Sequence, residues 1–173
     1  MNARPTSWVR TSLAVMGLCA ARFAAAGDLA PSELNAAPVQ AHALVLRQQG
    51  SGNATAIEQA GQQHLFEGVQ AGSGQRASIA QRGSLQRATL LQEGSANTLS
   101  LLQSGSGNQS AVEQAGQDNQ ASIVQDGVDH RADIDQRGSL NTARIEQYGR
   151  EGSARLSQSG SGKTATLIQH QGR

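Results

Sequence analysis

The chain has 173 residues, of which 37% are hydrophobic and only 2% aromatic, a thin supply of side chains for one compact core. Its 20 Gly and 22 Gln mark a biased, repetitive sequence and argue against a conventional enzyme fold, for which no cofactor or metal is expected. The formal net charge of +1 gives no electrostatic case for nucleic acid, and the single cysteine, Cys19, falls in a segment expected to be removed, so the mature chain is expected to have no disulfide and no thiolate chemistry.

Residues 1–26 read as a secretory signal peptide. Arg4 and Arg10 give a basic start, Leu13 to Ala21 an apolar stretch, and Ala24-Ala25-Ala26 a small-residue cleavage site. A lipid anchor at Cys19 is disfavoured by Leu18, too large for the small residue such a site needs before its cysteine. Losing Arg4, Arg10 and Arg22 leaves a net charge of −2. Residues 27–42 follow as a flexible leader, where Pro31 and Pro38 oppose helix and strand interiors alike. Past residue 26 no apolar run approaches the roughly 20 residues of a membrane span, so the mature chain is expected to be exported and soluble when released.

From residue 43 the sequence repeats every eleven residues without insertion or deletion. Glutamine stands at Gln48, Gln59, Gln70, Gln81, Gln92, Gln103, Gln114, Gln125, Gln136, Gln147, Gln158 and Gln169. Two residues later come Gly50, Gly61, Gly72, Gly83, Gly94, Gly105, Gly116, Gly127, Gly138, Gly149 and Gly160, a series that fails only at Gln171. Two residues earlier come Leu46, Ile57, Ile79, Leu90, Leu101, Val112, Ile123, Ile134, Ile145, Leu156 and Leu167, with Gly68 as the exception. Two residues before the aliphatic, Ala77, Ala88, Ala121, Ala132, Ala143, Ala154 and Ala165 hold a small position. Five residues after the glutamine stand Asn53, Asn97, Asn108, Asn119 and Asn141, with His64, Gln75, Gln86, His130, Gly152 and Lys163 as departures.

An eleven-residue period suits a right-handed helical supercoil, but that requires apolar residues at a 3–4 spacing. Here the fixed positions fall at every second residue and end at a glycine, which costs a helix about 1 kcal/mol each time; strand–turn–strand is the reading that follows. Asn53, Thr55, Ile57 and Gln59 then point inward while Ala54, Ala56 and Glu58 point outward, and the glycine supplies the turn that reverses the chain. Two arms make one 22-residue coil, and the expected fold is an all-β, two-sheet β-solenoid of about six coils over residues 43–173, about 29 Å tall.

Stacking accounts for the residue types. Buried Gln and Asn amides donate to one neighbouring layer and accept from the other, forming ladders satisfied only when another layer is present. The aliphatic residues form a thin dry seam, in which Phe66 fills the room that Gly68 vacates. No cap is visible at either end of the repeat run, and such edges are templates for further chains. Among the outward charges, Glu113 and Asp135 share a column one coil apart and Asp133 lies beside them, with Arg155 placed to offset it; these three acids are candidate gatekeepers that slow premature assembly. His64 and His130 lie three coils apart, roughly 14 Å, too far to share a metal ion. No catalytic triad, phosphate loop or close carboxylate pair is placed by the repeat.

The arms Asn97 to Gln103 and Asn108 to Gln114, with their periodic Q-x-G-x-x-N, resemble the curlin repeat. The resemblance covers about residues 43–173 and implies a subunit of curli, amyloid fibres of the bacterial surface and biofilm matrix. It implies export through periplasm and outer membrane by a dedicated secretion pore with accessory factors, addressed by residues 27–42. In that family a major curlin subunit forms the fibre and a minor subunit nucleates it at the cell surface. The charged arms, with Arg76, Arg87, Glu113, Arg131, Asp133, Asp135, Arg144, Glu146 and Arg155, and Lys163 in the corner position, resemble the minor subunit. Against that, the sequence ends soon after Gln169, where the minor subunit is expected to carry a further basic arm for attachment. The alternatives are the major subunit and, from a different class, a monomeric solenoid that binds or adheres through a regular outward ladder. Only Ser78, Ser100 and Ser122 supply such a ladder.

Overall fold

A computed structural model describes residues 42–172, and all regular structure in it is β-strand. The expected signal peptide at 1–26 and all but the last residue of the leader at 27–42 lie outside the described residues. The strands are β1 (Ala43–Ser51), β2 (Ala54–Gln62), β3 (Leu65–Ser73), β4 (Arg76–Ser84), β5 (Arg87–Ser95) and β6 (Thr98–Ser106). They continue as β7 (Gln109–Gln117), β8 (Gln120–Val128), β9 (Arg131–Ser139), β10 (Thr142–Arg150), β11 (Ser153–Ser161) and β12 (Thr164–His170).

The odd strands form one six-stranded sheet in the order β1-β3-β5-β7-β9-β11, and the even strands a second in the order β2-β4-β6-β8-β10-β12. All pairings are parallel and set each residue against the one 22 positions away: Gln92 faces Gln114, Gly94 faces Gly116 and Leu90 faces Val112. This is the β-solenoid of about six coils that the period implies. The register follows from the absence of insertions, since a one-residue slip in a strand would exchange its inward and outward faces.

The inward aliphatics meet between the sheets. Ile79, Leu90, Leu101, Val112, Ile123, Ile134 and Ile145 are buried, with Ala77, Ala88, Ala121, Ala132 and Ala143 packed beside them. Leu46, Ile57, Leu156 and Leu167, in the terminal layers, are only partly buried. Leu99 and Phe66 take the small site in their arms and are fully enclosed. A Cβ on Gly68 would lie 2.7 Å from Phe66 Cε1, so the ring and the missing side chain compensate one another in volume.

The chain reversal differs from a turn made at the repeat glycine. Those glycines, with φ between 101° and 141°, still belong to the strands, and a second residue with positive φ, four after each glutamine, completes the corner. At that second position stand Gly52, Gly74, Gly107 and Gly162, but also Gln63, Leu85, Ala96, Asp118, Asp129, Leu140 and Glu151 with φ of 53–57°. The first glycine is fixed by packing as well as by φ. At Gly105, a Cβ would overlap the carbonyl oxygen of Gly127 in the adjoining layer. The layers therefore approach at the corner to a distance that no side chain permits.

Candidate functional site

Every second strand position is inward, which places the repeat glutamines in two columns, one per sheet. Gln70, Gln81, Gln92, Gln103, Gln114, Gln125, Gln136 and Gln147 are fully buried, Gln158 nearly so, and Gln48, Gln59 and Gln169 partly. Each Nε2 donates to the Oε1 of the glutamine one coil further along the chain, at 2.5–3.0 Å, from Gln48→Gln70 in one column to Gln147→Gln169 in the other. The ladder therefore has a direction. The second proton of Gln114 crosses the interior to the carbonyl of Thr98, the first residue of β6, at 3.1 Å, and Gln125 reaches Gln109 in the same way. The same side chain thus links layers and ties the two sheets together, a double role that spacing alone does not reveal.

The corner residues obey a different rule from the expected Asn–Asn ladder. Asn119 Nδ2 donates to Asn97 Oδ1 and Asn141 Nδ2 to Asn119 Oδ1, both at 3.1 Å, but the shared feature of the corners lies elsewhere. Each side chain offers an acceptor to the backbone N–H of the corner residue in the next layer. Asn97 Oδ1 takes Asn119 N–H at 3.0 Å, Gln75 Oε1 takes Asn97 N–H at 3.1 Å, and Gln86 Oε1 takes Asn108 N–H at 3.2 Å. His64 and His130 do the same through Nδ1, toward Gln86 and Gly152. His42 Nδ1 accepts from His64 N–H at 3.3 Å, so the last leader residue is already a corner. The amide protons of Asn97 return to Glu93 O and Gly116 O, pinning the positive-φ corner. The departures from Asn in the sequence are thus mostly equivalent acceptors. Gly152 and Lys163, in the layer of β11 and β12, offer none.

Outward charges pair more closely than their columns suggest. Glu113 and Asp135 are adjacent across β7 and β9, as expected, but Arg137 lies over both: its Nη2 is 3.1 Å from Glu113 Oε1 and its Nε 3.3 Å from Asp135 Oδ1. The hydrogen bond with Glu113, and then the charge of Asp135, raise the Arg137 pKa above its ordinary value. Asp133 meets Arg131 at 3.5 Å on its own strand, while Arg155 is its neighbour across β9 and β11. Arg82 pairs with Glu58 at the offset that joins Arg137 to Glu113, and Arg144 pairs with Glu146. Among the described residues, no group of three or more His, Cys, Asp or Glu is placed to hold a metal ion.

A repeat solenoid whose polar interior is matched layer by layer is a structural architecture. The model of the curlin associated repeat family matches residues 94–127 and 129–160, a run that extends from the end of β5 into β11. These matches support the curlin family. The coils outside the matched stretches keep the same 22-residue register, as in β1 on β3 and β10 on β12. No curated protein and no solved structure gives a significant match to the chain. Curlin repeats point to a curli-type amyloid subunit; neither the repeat matches nor the fold distinguishes a major from a minor one.

Proposed function

We propose that this chain is an exported subunit of a curli-like extracellular fibre and that it serves as the minor subunit, nucleating polymerisation of a major curlin at the cell surface. The observation that carries the polymer reading is the direction of the glutamine ladder. At one end Gln48 Oε1 is buried without a partner among the described residues, and at the other Gln158 turns its protons to Thr142 O and Lys163 O and Gln169 gives one to Ser153 O, where the earlier glutamines also reach a glutamine of the next layer. Strands β1 and β2, and β11 and β12, each have a neighbour on one side only among the described residues. An incoming curlin coil would continue both the ladder and the parallel sheets without forming a nucleus of its own.

The minor assignment is supported by the charged outer faces and by Gly152 and Lys163, which interrupt the corner acceptors in one terminal layer. Under this reading residues 1–26 direct secretion and residues 27–42 address the chain to the outer-membrane pore and its accessory factors. Glu113, Asp133 and Asp135, with their arginine partners, set the assembly rate. Two measurements test the proposal. Residues 27–173 at micromolar concentration are expected to form fibres with reflections near 4.7 and 10 Å. A substoichiometric amount is expected to abolish the lag of a major curlin. A persistent folded monomer would refute the polymer reading, and an unchanged lag would leave the chain as the bulk subunit.

A further inference from the structure

The corner column His42-His64-Gln86-Asn108-His130-Gly152 places two imidazoles where the other buried members carry amides. The amide oxygens of Gln86 and Asn108 cannot take up a proton at any ordinary pH. The imidazoles can, and both are buried, at 1% exposure each. Each stacks a backbone N–H on its Nδ1: Gln86 N lies 3.4 Å from His64 Nδ1, and Gly152 N lies 3.0 Å from His130 Nδ1. That geometry requires a bare Nδ1 and places the ring proton on Nε2. In His64 this proton reaches Ala60 O at 3.0 Å; in His130, Nε2 is buried without a partner.

We infer that His64 makes the solenoid acid-sensitive: a proton added at Nδ1 removes the acceptor for the N–H of the adjoining layer, sets two donors against each other and loosens the coil at that corner. The inference rests on the coil itself and stands apart from the fibre reading.

No carboxylate is in place to stabilise either imidazolium. His64 packs against His42, whose ring is stacked on it at 4.9 Å, and against the backbone of Ala60 and Gln86. The nearest charged side chains on its flanking strands, Glu58, Glu67, Arg82 and Arg87, are exposed on the outward face, Glu58 and Arg82 paired with one another. His130 packs against Gly127, Asn108 and Gly152; the charged residues beside it, Asp126, Asp129, Arg131, Arg150 and Glu151, are exposed. The room for its ring depends on Gly152, where a Cβ would lie 2.8 Å from Nδ1. Burial lowers the His64 pKa from its ordinary value; the hydrogen bond to the Ala60 carbonyl opposes it in part, and the charge of His42 adds a smaller lowering.

The sign follows from proton linkage. An imidazole held neutral in the fold binds fewer protons than in the unfolded chain, so its contribution is complete above about pH 6.5 and is lost as pH falls below it. For His64 the folding constant drops up to about tenfold per pH unit, so at pH 5.5 it is lowered up to about tenfold. The repeat itself supplies the control: His64→Gln keeps the acceptor in the form used by Gln86. Urea unfolding of the dilute chain at pH 7.5 and 5.5 is expected to show an acid loss in the folding constant up to about tenfold larger in the wild type than in His64→Gln. Equal acid sensitivity in both overturns the inference. As a measurement on the wild type alone, the His64 imidazole ¹⁵N shifts at pH 7.5 are expected to report a neutral ring with the proton on Nε2, and a proton on Nδ1 overturns it too.

Discussion

Replacing Gln114 by alanine is expected to cost far more than the same change at Gln169, although both are members of the ladder. Gln114 accepts from Gln92 at 2.8 Å, donates to Gln136 at 2.9 Å and crosses to Thr98 O at 3.1 Å. Its loss leaves a proton of Gln92 and the oxygen of Gln136 facing each other across a gap, both in fully buried residues. At about 1–3 kcal/mol for each orphaned buried group, the deletion costs about 2–6 kcal/mol. Gln169 is only partly buried; it accepts from Gln147 at 2.9 Å and donates to Ser153 O at 3.0 Å, and water can reach the groups it leaves behind. That change is expected to cost about 1 kcal/mol. With a urea dependence of about 2 kcal/mol per molar, the midpoint of the dilute chain shifts by about 1–3 M for Gln114→Ala and about 0.5 M for Gln169→Ala. Circular dichroism during urea titration reads both, and equal shifts would refute the claim that the ladder is satisfied only between layers.

Five further outcomes follow from the same geometry. Gly105→Ala is expected to prevent the adjoining layers from closing and to abolish ordered assembly. Gly162→Ala, where φ is 67° and nothing lies within 4 Å, is expected to cost only about 1 kcal/mol in thermal or urea unfolding. Arg137→Gln leaves Glu113 and Asp135 to repel across adjacent strands and is expected to lengthen the assembly lag at low salt, with the difference narrowing as salt is added; Glu113→Gln with Asp135→Asn is expected to shorten the lag only modestly, since Arg137 already offsets the pair. Lys163→Asn restores a corner acceptor in the terminal layer and is expected to accelerate fibre growth in a dye-binding assay, with no change meaning that this corner is not part of the junction between chains.

Much of this architecture is legible because one constraint, the 22-residue register, is written in every arm. The inward positions of Gln, Ile and Ala, the exchange of volume between Phe66 and Gly68 and the adjacency of Glu113 and Asp135 all follow from counting. The second corner residue is not legible, because Leu85, Ala96, Leu140 and Glu151 have no intrinsic preference for positive φ and adopt it under the demand of the stack. The role of His64, Gln75, Gln86 and His130 is hidden by their diversity, since what they share is an acceptor atom at one point in space rather than a side-chain type. Arg137 stands in the next outward column, facing Ala115, and reaches Glu113 only because its long side chain spans adjacent strands.

The two sets of amide contacts run in opposite senses. Glutamine side chains give their protons toward the C-terminal layers, whereas the backbone N–H groups at the corners give theirs back to the layer before. In an α-helix every peptide dipole aligns, and partial charge collects at the two tips. Here the backbone row opposes the glutamine row, although the corner amides of Asn97 and Asn119 also give protons forward, to Gly116 O and Gly138 O, and the sheets themselves contribute little net dipole. Only part of the amides in each layer therefore add along the axis, so added layers polarise the tips less than added turns do in an α-helix.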